Sequence, residues 1–517
     1  MVNKLSFRKD IDLIISKMEE GHPGLHPDFK DKTFYGKWNK VKPRLNDLKN
    51  ESYDNKYVFL NNVDNLLQEL GSGHDHLSYN EEKNENKKEF PFRFELFSNN
   101  KDSNKNFQLI LIKREGFILD EAISKWNMSI VKKINNQSID SYILKHASKR
   151  RNELAWSRLK SAAKFLHIKM LEDLRLDKVD FELILNGKAE AVSIPLLAKN
   201  NADKDFTFDL NFFYKVISTP KDGKIVYVKI PMMIDQEIYD AWKSYISFAI
   251  SKELPVFHKW VIEIAEVAKK ENANKIVFDI RENTGGWSNI GIPVISLFKS
   301  GDINVYKTNF RRSYDYWNRI HESTPGLIKT LKKQIEELEE TSLSLAGEDK
   351  KNILSRIESI RSELRDEEND LSNAKRYLKD PLPESEELYT QNISWKLVSV
   401  DNHTPLNIKV DMLTNWKTGS AAEIFAMAFR SSGIGRIVGS PTGNGCNVFT
   451  ENAMVKLPQS EANLKYSLGF QSWYDSELSK LPANGVQPDI LVYQTGEDYL
   501  RDIDTLANEV YGIKKFE

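Results

Sequence analysis

Apolar residues recur every three or four positions in IDLIISKM and YVFLNNVDNLLQEL, which places them on one helix face and predicts a mainly helical unit over residues 1–90. The Pro/Gly-containing HPGLHP separates these helices, and the unit ends in the loop GSGHDHLSY. From 91 to 200 the pattern turns strand-like in FQLILIK and FELILNGKAEAVSIPLL, with a helical stretch at 140–175 between them. KIVYVKIP (224–231) and KIVFDIR (275–281) read as short buried strands, and the 43 residues between them suit a helical crossover, so 205–318 and 388–497 are expected to form an α/β core. In that core an alternating run, Ile408, Val410 and Met412, stops at Thr418-Gly419, and Ser420 opens a helix with apolar Ile424, Phe425 and Ala428. Residues 324–375 depart from this pattern. Ile328, Leu331, Ile335 and Leu338, then Ile353, Ile357, Ile360, Leu364 and Leu371, repeat at helical spacing amid dense Glu, Lys and Arg, which predicts an inserted coiled-coil-like hairpin. Residues 498–517 complete the chain as a C-terminal helix or tail.

The position of Ser420 carries chemistry. The first N–H groups of a helix lack internal acceptors and lie at the positive end of its dipole, so they can stabilise an oxyanion beside a nucleophilic serine. A serine at a helix start is also a common cap, and on this segment alone a cap is the commoner explanation. Composition narrows the class without choosing between these. The 517 residues suit two to four domains, and 74 basic against 75 acidic side chains give a net charge of −1, with no pull toward nucleic acid. The single cysteine, Cys446, excludes an intrachain disulfide and a Cys-rich metal site. No run is long and apolar enough to span a membrane, and the charged N-terminus has no signal core. The chain as it stands reads as cytoplasmic, or as periplasmic or secreted if a signal has been trimmed.

Three further segments raise the weight of Ser420. In KIVFDIRENTGGW a buried strand runs into Gly285-Gly286, whose backbone N–H groups are unobstructed by side chains. The loop GSGHDHL carries His74, an imidazole able to accept a serine proton near neutral pH; His74 and His76 could also bind a metal, but further ligands at useful spacing are absent. The third is GVQPDI (485–490), a turn entering a strand. In this order, GSGHDHL, FDIRENTGG, TGSAAEIFAMAF, VGSPTGN and GVQPDI resemble the motifs of the S41 family of serine peptidases, which includes tail-specific processing proteases, the tricorn core protease and retinoid-binding relatives. IVKKINNQSIDSYI more loosely resembles part of a PDZ-like module, expected over 91–200.

The resemblance implies a ClpP/crotonase-like α/β catalytic core and acyl transfer to a peptide or protein substrate, with no metal or organic cofactor. It implies Ser420 as nucleophile, His74 as base, and an oxyanion hole from the N–H of Ala421 and one from Gly285 or Gly286. The turn Pro441-Thr442-Gly443-Asn444-Gly445-Cys446 lacks the lysine of the processing-protease branch, so a Ser-Lys dyad is not expected. The group that orients His74 departs from the tricorn pattern, and Asp75, Asp475 and Glu477 are its candidates. Two other readings stay open: a non-catalytic binder of an apolar ligand or peptide on the same fold, and a scaffold whose partner docks on the 324–375 hairpin.

Overall fold

A computed structural model describes residues 5–29, 32–53, 55–70, 75–79, 88–114, 119–139, 143, 178–198, 207–208, 210–242, 249–250, 252–344, 346–379, 388–397, 405–443, 448–474 and 485–516. His74, Cys446, Asp475 and Glu477 lie outside them, as does the expected helical stretch at 140–175 apart from Ile143. The fold is mixed α/β and forms two compact units, residues 1–81 with 307–392 and 448–472, and residues 82–306 with 393–447 and 473–517.

The second unit is built on a six-stranded sheet in the order β1 (Phe213–Thr219), β2 (Gly223–Lys229), β3 (Lys275–Asp279), β4 (Lys409–Thr414), β5 (Arg436–Gly439) and β6 (Ile490–Leu491). Only β1 runs antiparallel to its neighbour. The connection from β2 to β3 contains the helix Phe257–Lys270, as a parallel pair requires. β3 is buried along its whole length, which is why its sequence reads as a continuous apolar run. Strand alternation sends Val226, Val228, Ile276, Phe278 and Met412 toward Trp260, Ile264 and Phe425 on the helices of one face. Ile225, Tyr227, Val277, Leu413 and Val438 face the opposite way and meet Leu506, Tyr511 and Phe516. The C-terminal residues thus close the second face of the sheet. A second, wholly antiparallel sheet in this unit takes in Phe92–Asn100, Ser103–Lys113, Ile130–Ile134, Lys178–Leu185 and Lys188–Pro195, with Gln137–Ser138 on Ile130–Ile134. Asn186-Gly187, both at positive φ, make its tightest turn.

The first unit gathers the helices Arg8–Gly21, Lys32–Leu48 and Lys56–Glu69 around Trp38, Phe59 and Leu60. In this unit residues 76–78, 463–472, 307–311 and 388–392 form a sheet in that order, with Val448–Lys456 paired on residues 463–472. From it rises a pair of long helices, Tyr314–Leu343 and Gly347–Lys379. The ion pairs Lys332–Glu368 and Arg361–Glu339 fix them antiparallel, since both pairings have the same residue-number sum. The first helix starts ten residues before the expected position 324 and continues through Pro325, because Tyr316 and Trp317 are buried in the core of the unit and hold the preceding turns in place.

Candidate active site

Two turns meet at the C-terminal ends of the parallel strands. One follows β3 and runs from Arg281 to Trp287; the other follows β4 and runs from Asn415 to Ser420. Ser420 occupies the N-cap position of the helix Ala421–Ser432, yet its side chain makes no capping hydrogen bond, and its backbone sits at φ 50°, ψ −125°. A capping serine is normally extended and bonded to the N–H of the second or third helical residue, so Ser420 is not acting as a cap. Its side chain is exposed, whereas Ala421, Ala422 and Phe425 on the same helix are buried. Such a strained backbone persists only where its surroundings hold it, and residues so held cluster at active sites.

The first turn packs directly against this serine. A methyl group added at Gly285 would lie 2.7 Å from Ser420 Cβ, 3.0 Å from Gly419 O and 3.1 Å from Ala421 N. A methyl at Gly286 would lie 2.2 Å from Met233 O. Both glycines also have φ above 100°, so no other residue type fits either position. Met233 N donates to Gly285 O at 2.8 Å and Trp287 N to Met233 O at 2.6 Å, which fixes the turn from below. The Gly285 N–H is already committed to Asn283 Oδ1 at 3.0 Å. The N–H groups of Gly286 and Ala421 have no acceptor among the described residues.

The two turns are tied together at several points. Gly419 N donates to Asn283 O at 3.0 Å, and Thr418 Oγ1 donates to Ile280 O at 3.0 Å. Farther out, Glu282 accepts from Asn415 Nδ2 at 2.8 Å and pairs with Lys417. Burial works to raise the Glu282 carboxyl, and Lys417 and Asn415 outweigh it, holding the group below the ordinary glutamate range. Beneath the serine, the buried Glu423 accepts from Thr442 Oγ1 at 2.5 Å, and Thr442 Oγ1 accepts from Val486 N at 2.7 Å. Glu423 therefore joins the VGSPTGN and GVQPDI segments to the helix of Ser420. The buried Asp279 pairs with the part-buried Arg281 of FDIR, and the pair is completed by Tyr227 on Asp279 at 2.6 Å and by Asp504 on Arg281 at 2.8 Å.

In the first unit, Asp75 is buried, and both of its oxygens are engaged. Oδ2 accepts from His22 Nε2 at 3.0 Å, and Oδ1 accepts from the N–H and hydroxyl of Ser467 at 2.8 and 2.9 Å. Gly24 N donates to His22 Nδ1 at 3.1 Å, which leaves Nε2 as the protonated nitrogen that faces Asp75. Burial works to raise the Asp75 carboxyl; His22 and Ser467 outweigh it and hold it below the ordinary aspartate value. His76 lies on the strand His76–Ser78, and among the described residues no three His, Cys, Asp or Glu side chains converge as a metal site. The pairings of Asp75 with His22 and of Glu282 with Lys417 have no local signal in the sequence, because their partners come from remote segments or across a turn.

The profile of peptidase family S41 matches residues 224–492, which span both turns and all the parallel strands of the core. No curated protein sequence matches the chain as a relative. Among solved structures, mature CPAF complexed with lactacystin superposes with a TM-score of 0.62 at 11% identity, covering 96% of this chain and 95% of that one. A second structure of mature CPAF gives 0.59 at 11% identity, with 99% of each chain covered. The photosystem II D1 C-terminal processing protease is also similar, at a TM-score of 0.43 and 12% identity over 98% of each chain. At 11% identity the likeness to the two CPAF structures is one of fold alone. The family assignment rests on the profile, which covers more than half of the 517 residues, and the chain belongs to peptidase family S41, the serine peptidases.

Proposed function

We propose that this serine peptidase cleaves peptide bonds through an acyl-enzyme on Ser420, with His74 as general base and the N–H groups of Gly286 and Ala421 as the oxyanion hole. The observation that carries this reading is Ser420 itself: exposed, uncapped, held at φ 50° and packed against Gly285, with two uncommitted amides beside it. His74 takes the Oγ proton as Oγ attacks the substrate carbonyl carbon. The carbonyl oxygen becomes an oxyanion and accepts from the two N–H groups. His74 then gives its proton to the departing amine nitrogen, and water, deprotonated by the same imidazole, releases the acyl group as a carboxylic acid and restores Ser420. Gly286 is favoured over Gly285 as donor because the Gly285 N–H is held by Asn283. Asp75 is an unsuitable partner for His74 because His22 and Ser467 occupy its carboxylate, which favours Asp475 or Glu477 as the orienting acid. Lys417 lies three residues before Ser420, and its pairing with Glu282 supports a histidine base over a lysine one.

The substrate is a peptide or protein, as the family implies. No described helix is long and apolar enough to cross a membrane. The test is hydrolysis of a peptide library followed by mass spectrometry, with wild type, Ser420→Ala and His74→Ala compared across pH. Wild-type turnover should fall on acidification with an apparent pKa of roughly 6–7, the histidine range, and both variants should be inactive. Full turnover in His74→Ala would remove the base assignment, and full turnover in Ser420→Ala would remove the nucleophile.

A further inference from the structure

Glu282 lies in the turn that carries Gly285 and Gly286, and its backbone φ is 70°, in the left-handed region that a glutamate seldom adopts. Nothing in a glutamate side chain favours that conformation, so the contacts of the residue must hold it. They come from the other turn. Asn415 Nδ2 donates to one Glu282 oxygen at 2.8 Å, Lys417 Nζ donates to the second, and Glu282 N donates back to Asn415 Oδ1 at 3.2 Å. Lys417 N donates to the same Asn415 Oδ1 at 3.0 Å. Glu282, Asn415 and Lys417 thus form a closed ring of hydrogen bonds that joins the residue preceding Asn283 to the residues preceding Ser420. The two ends of the ring lead to the two non-glycine residues of these turns that have positive φ, Glu282 at 70° and Ser420 at 50°.

The ring is not well placed for stability alone. Its charged pair is part-exposed, 32% at Lys417 and 52% at Glu282, and borders a cavity of about 730 Å³ open to solvent. Part-exposed ion pairs contribute little to folding, because water screens them and the side chains lose entropy when ordered. Geometry is a different matter. The separation of the Gly286 and Ala421 amides is set by how the two turns abut, and small misplacements of reacting groups have large effects on rate.

We propose that Glu282 is a positioning residue for acyl transfer: clamped by Asn415 and Lys417, it fixes the turn bearing the Gly286 N–H against the turn bearing Ser420. The inference rests on the reading of Ser420 as nucleophile. Its test uses the full-length protein and three variants, Glu282→Asn, Lys417→Glu, and the charge-reversed pair Glu282→Lys with Lys417→Glu. Asparagine is among the residues best suited to positive φ, so Glu282→Asn removes the clamp while easing the backbone, and its melting temperature should match or exceed that of wild type. The rate of fluorophosphonate labelling should nonetheless fall between about ten- and a hundredfold, and hydrolysis of a small peptide should show the same fall in kcat with KM unchanged. The charge-reversed pair should regain part of the rate that Lys417→Glu alone loses. A folded Glu282→Asn protein labelled at the wild-type rate, or one altered in KM alone, would overturn the clamp while leaving the nucleophile in place. A folded wild type that resists labelling would overturn both readings together.

Discussion

Replacement of Gly285 by alanine tests the geometry around Ser420 most sharply, because the structure specifies what the added methyl meets. It would come within 2.7 Å of Ser420 Cβ, 3.0 Å of Gly419 O and 3.1 Å of Ala421 N, at a φ of 119°. An L-residue forced into that backbone region costs about 1–3 kcal/mol, and overpacking against atoms that cannot rotate away adds about 1–3 kcal/mol. The total of about 2–6 kcal/mol is smaller than the upper range of domain stabilities, about 5–15 kcal/mol, so the variant should be folded in the cold and melt early. In the folded protein the collision is relieved by moving Ser420 or the Ala421 amide, and labelling by a fluorophosphonate should slow by about 10²–10³-fold, the scale of losing an oxyanion donor. Gly433→Ala is the control. Gly433 ends the helix that Ser420 begins, has φ 69° and would place its methyl in open space, so this variant should lose about 1–2 kcal/mol of stability and label at the wild-type rate. The assay is the labelling rate at a temperature where circular dichroism shows each protein folded, paired with thermal unfolding. A Gly285→Ala protein with unchanged melting and unchanged labelling would refute the packing of this turn against the serine.

Asp75→Asn keeps one acceptor oxygen but puts an NH2 group in place of the other, so either the His22 Nε2–H or the Ser467 donors lose their buried acceptor, and it should cost about 1–3 kcal/mol at neutral pH. Because the folded Asp75 value lies below the ordinary 3.8, this stabilisation is complete above that pH and lost as pH falls through the depressed value, so urea titrations of wild type and variant should converge only in strong acid. The second hairpin helix shows the opposite sign. Burial, Asp370 and Glu363 raise the Glu367 carboxyl above 4.5, so its ionisation opposes folding as pH rises through the raised value; Glu367→Gln should increase the melting temperature at pH 7 and make no difference near pH 4. Replacing residues 330–370 by a short Gly/Ser linker should leave hydrolysis of a small ester intact, because the cut spares Tyr316, Trp317 and Ala374 in the core of the unit. Loss of ester activity in a folded deletion, measured as kcat/KM, would show that the hairpin supports the site. Trp317→Ala, in contrast, should cost about 3–5 kcal/mol, since the ring is 2% exposed and stacks on Tyr377.

Much of the candidate site's scaffold could be read from the chain because its signals are local. The apolar runs of β2 and β3, the alternation into β4 and the turn before Ser420 fall where periodicity and glycine placed them. What could not be read is tertiary. The helix at Tyr314 begins before a Thr-Pro-Gly segment that resembles a helix start, and only the burial of Tyr316 and Trp317 explains its extent. The C-terminal residues have no strong period, yet Tyr511 and Phe516 cover one face of the core sheet. Periodicity around Ser420 does not show whether it caps its helix, because a cap and a nucleophile use the same residue type at the same position; its φ and its unbonded side chain show that it does not cap. The ties of Asp75 to His22 and of Glu423 to Thr442 depend on which buried donors meet which acceptors, and spacing along the chain holds no record of that.

Acylation of Ser420 is the step on which the proposed mechanism depends. Incubation of the folded protein with a fluorophosphonate, followed by digestion and mass spectrometry of the peptides, tests it directly. One adduct is expected, on Ser420, and none on the Ser420→Ala protein. An adduct on another residue, or labelling that persists in Ser420→Ala, would contradict it.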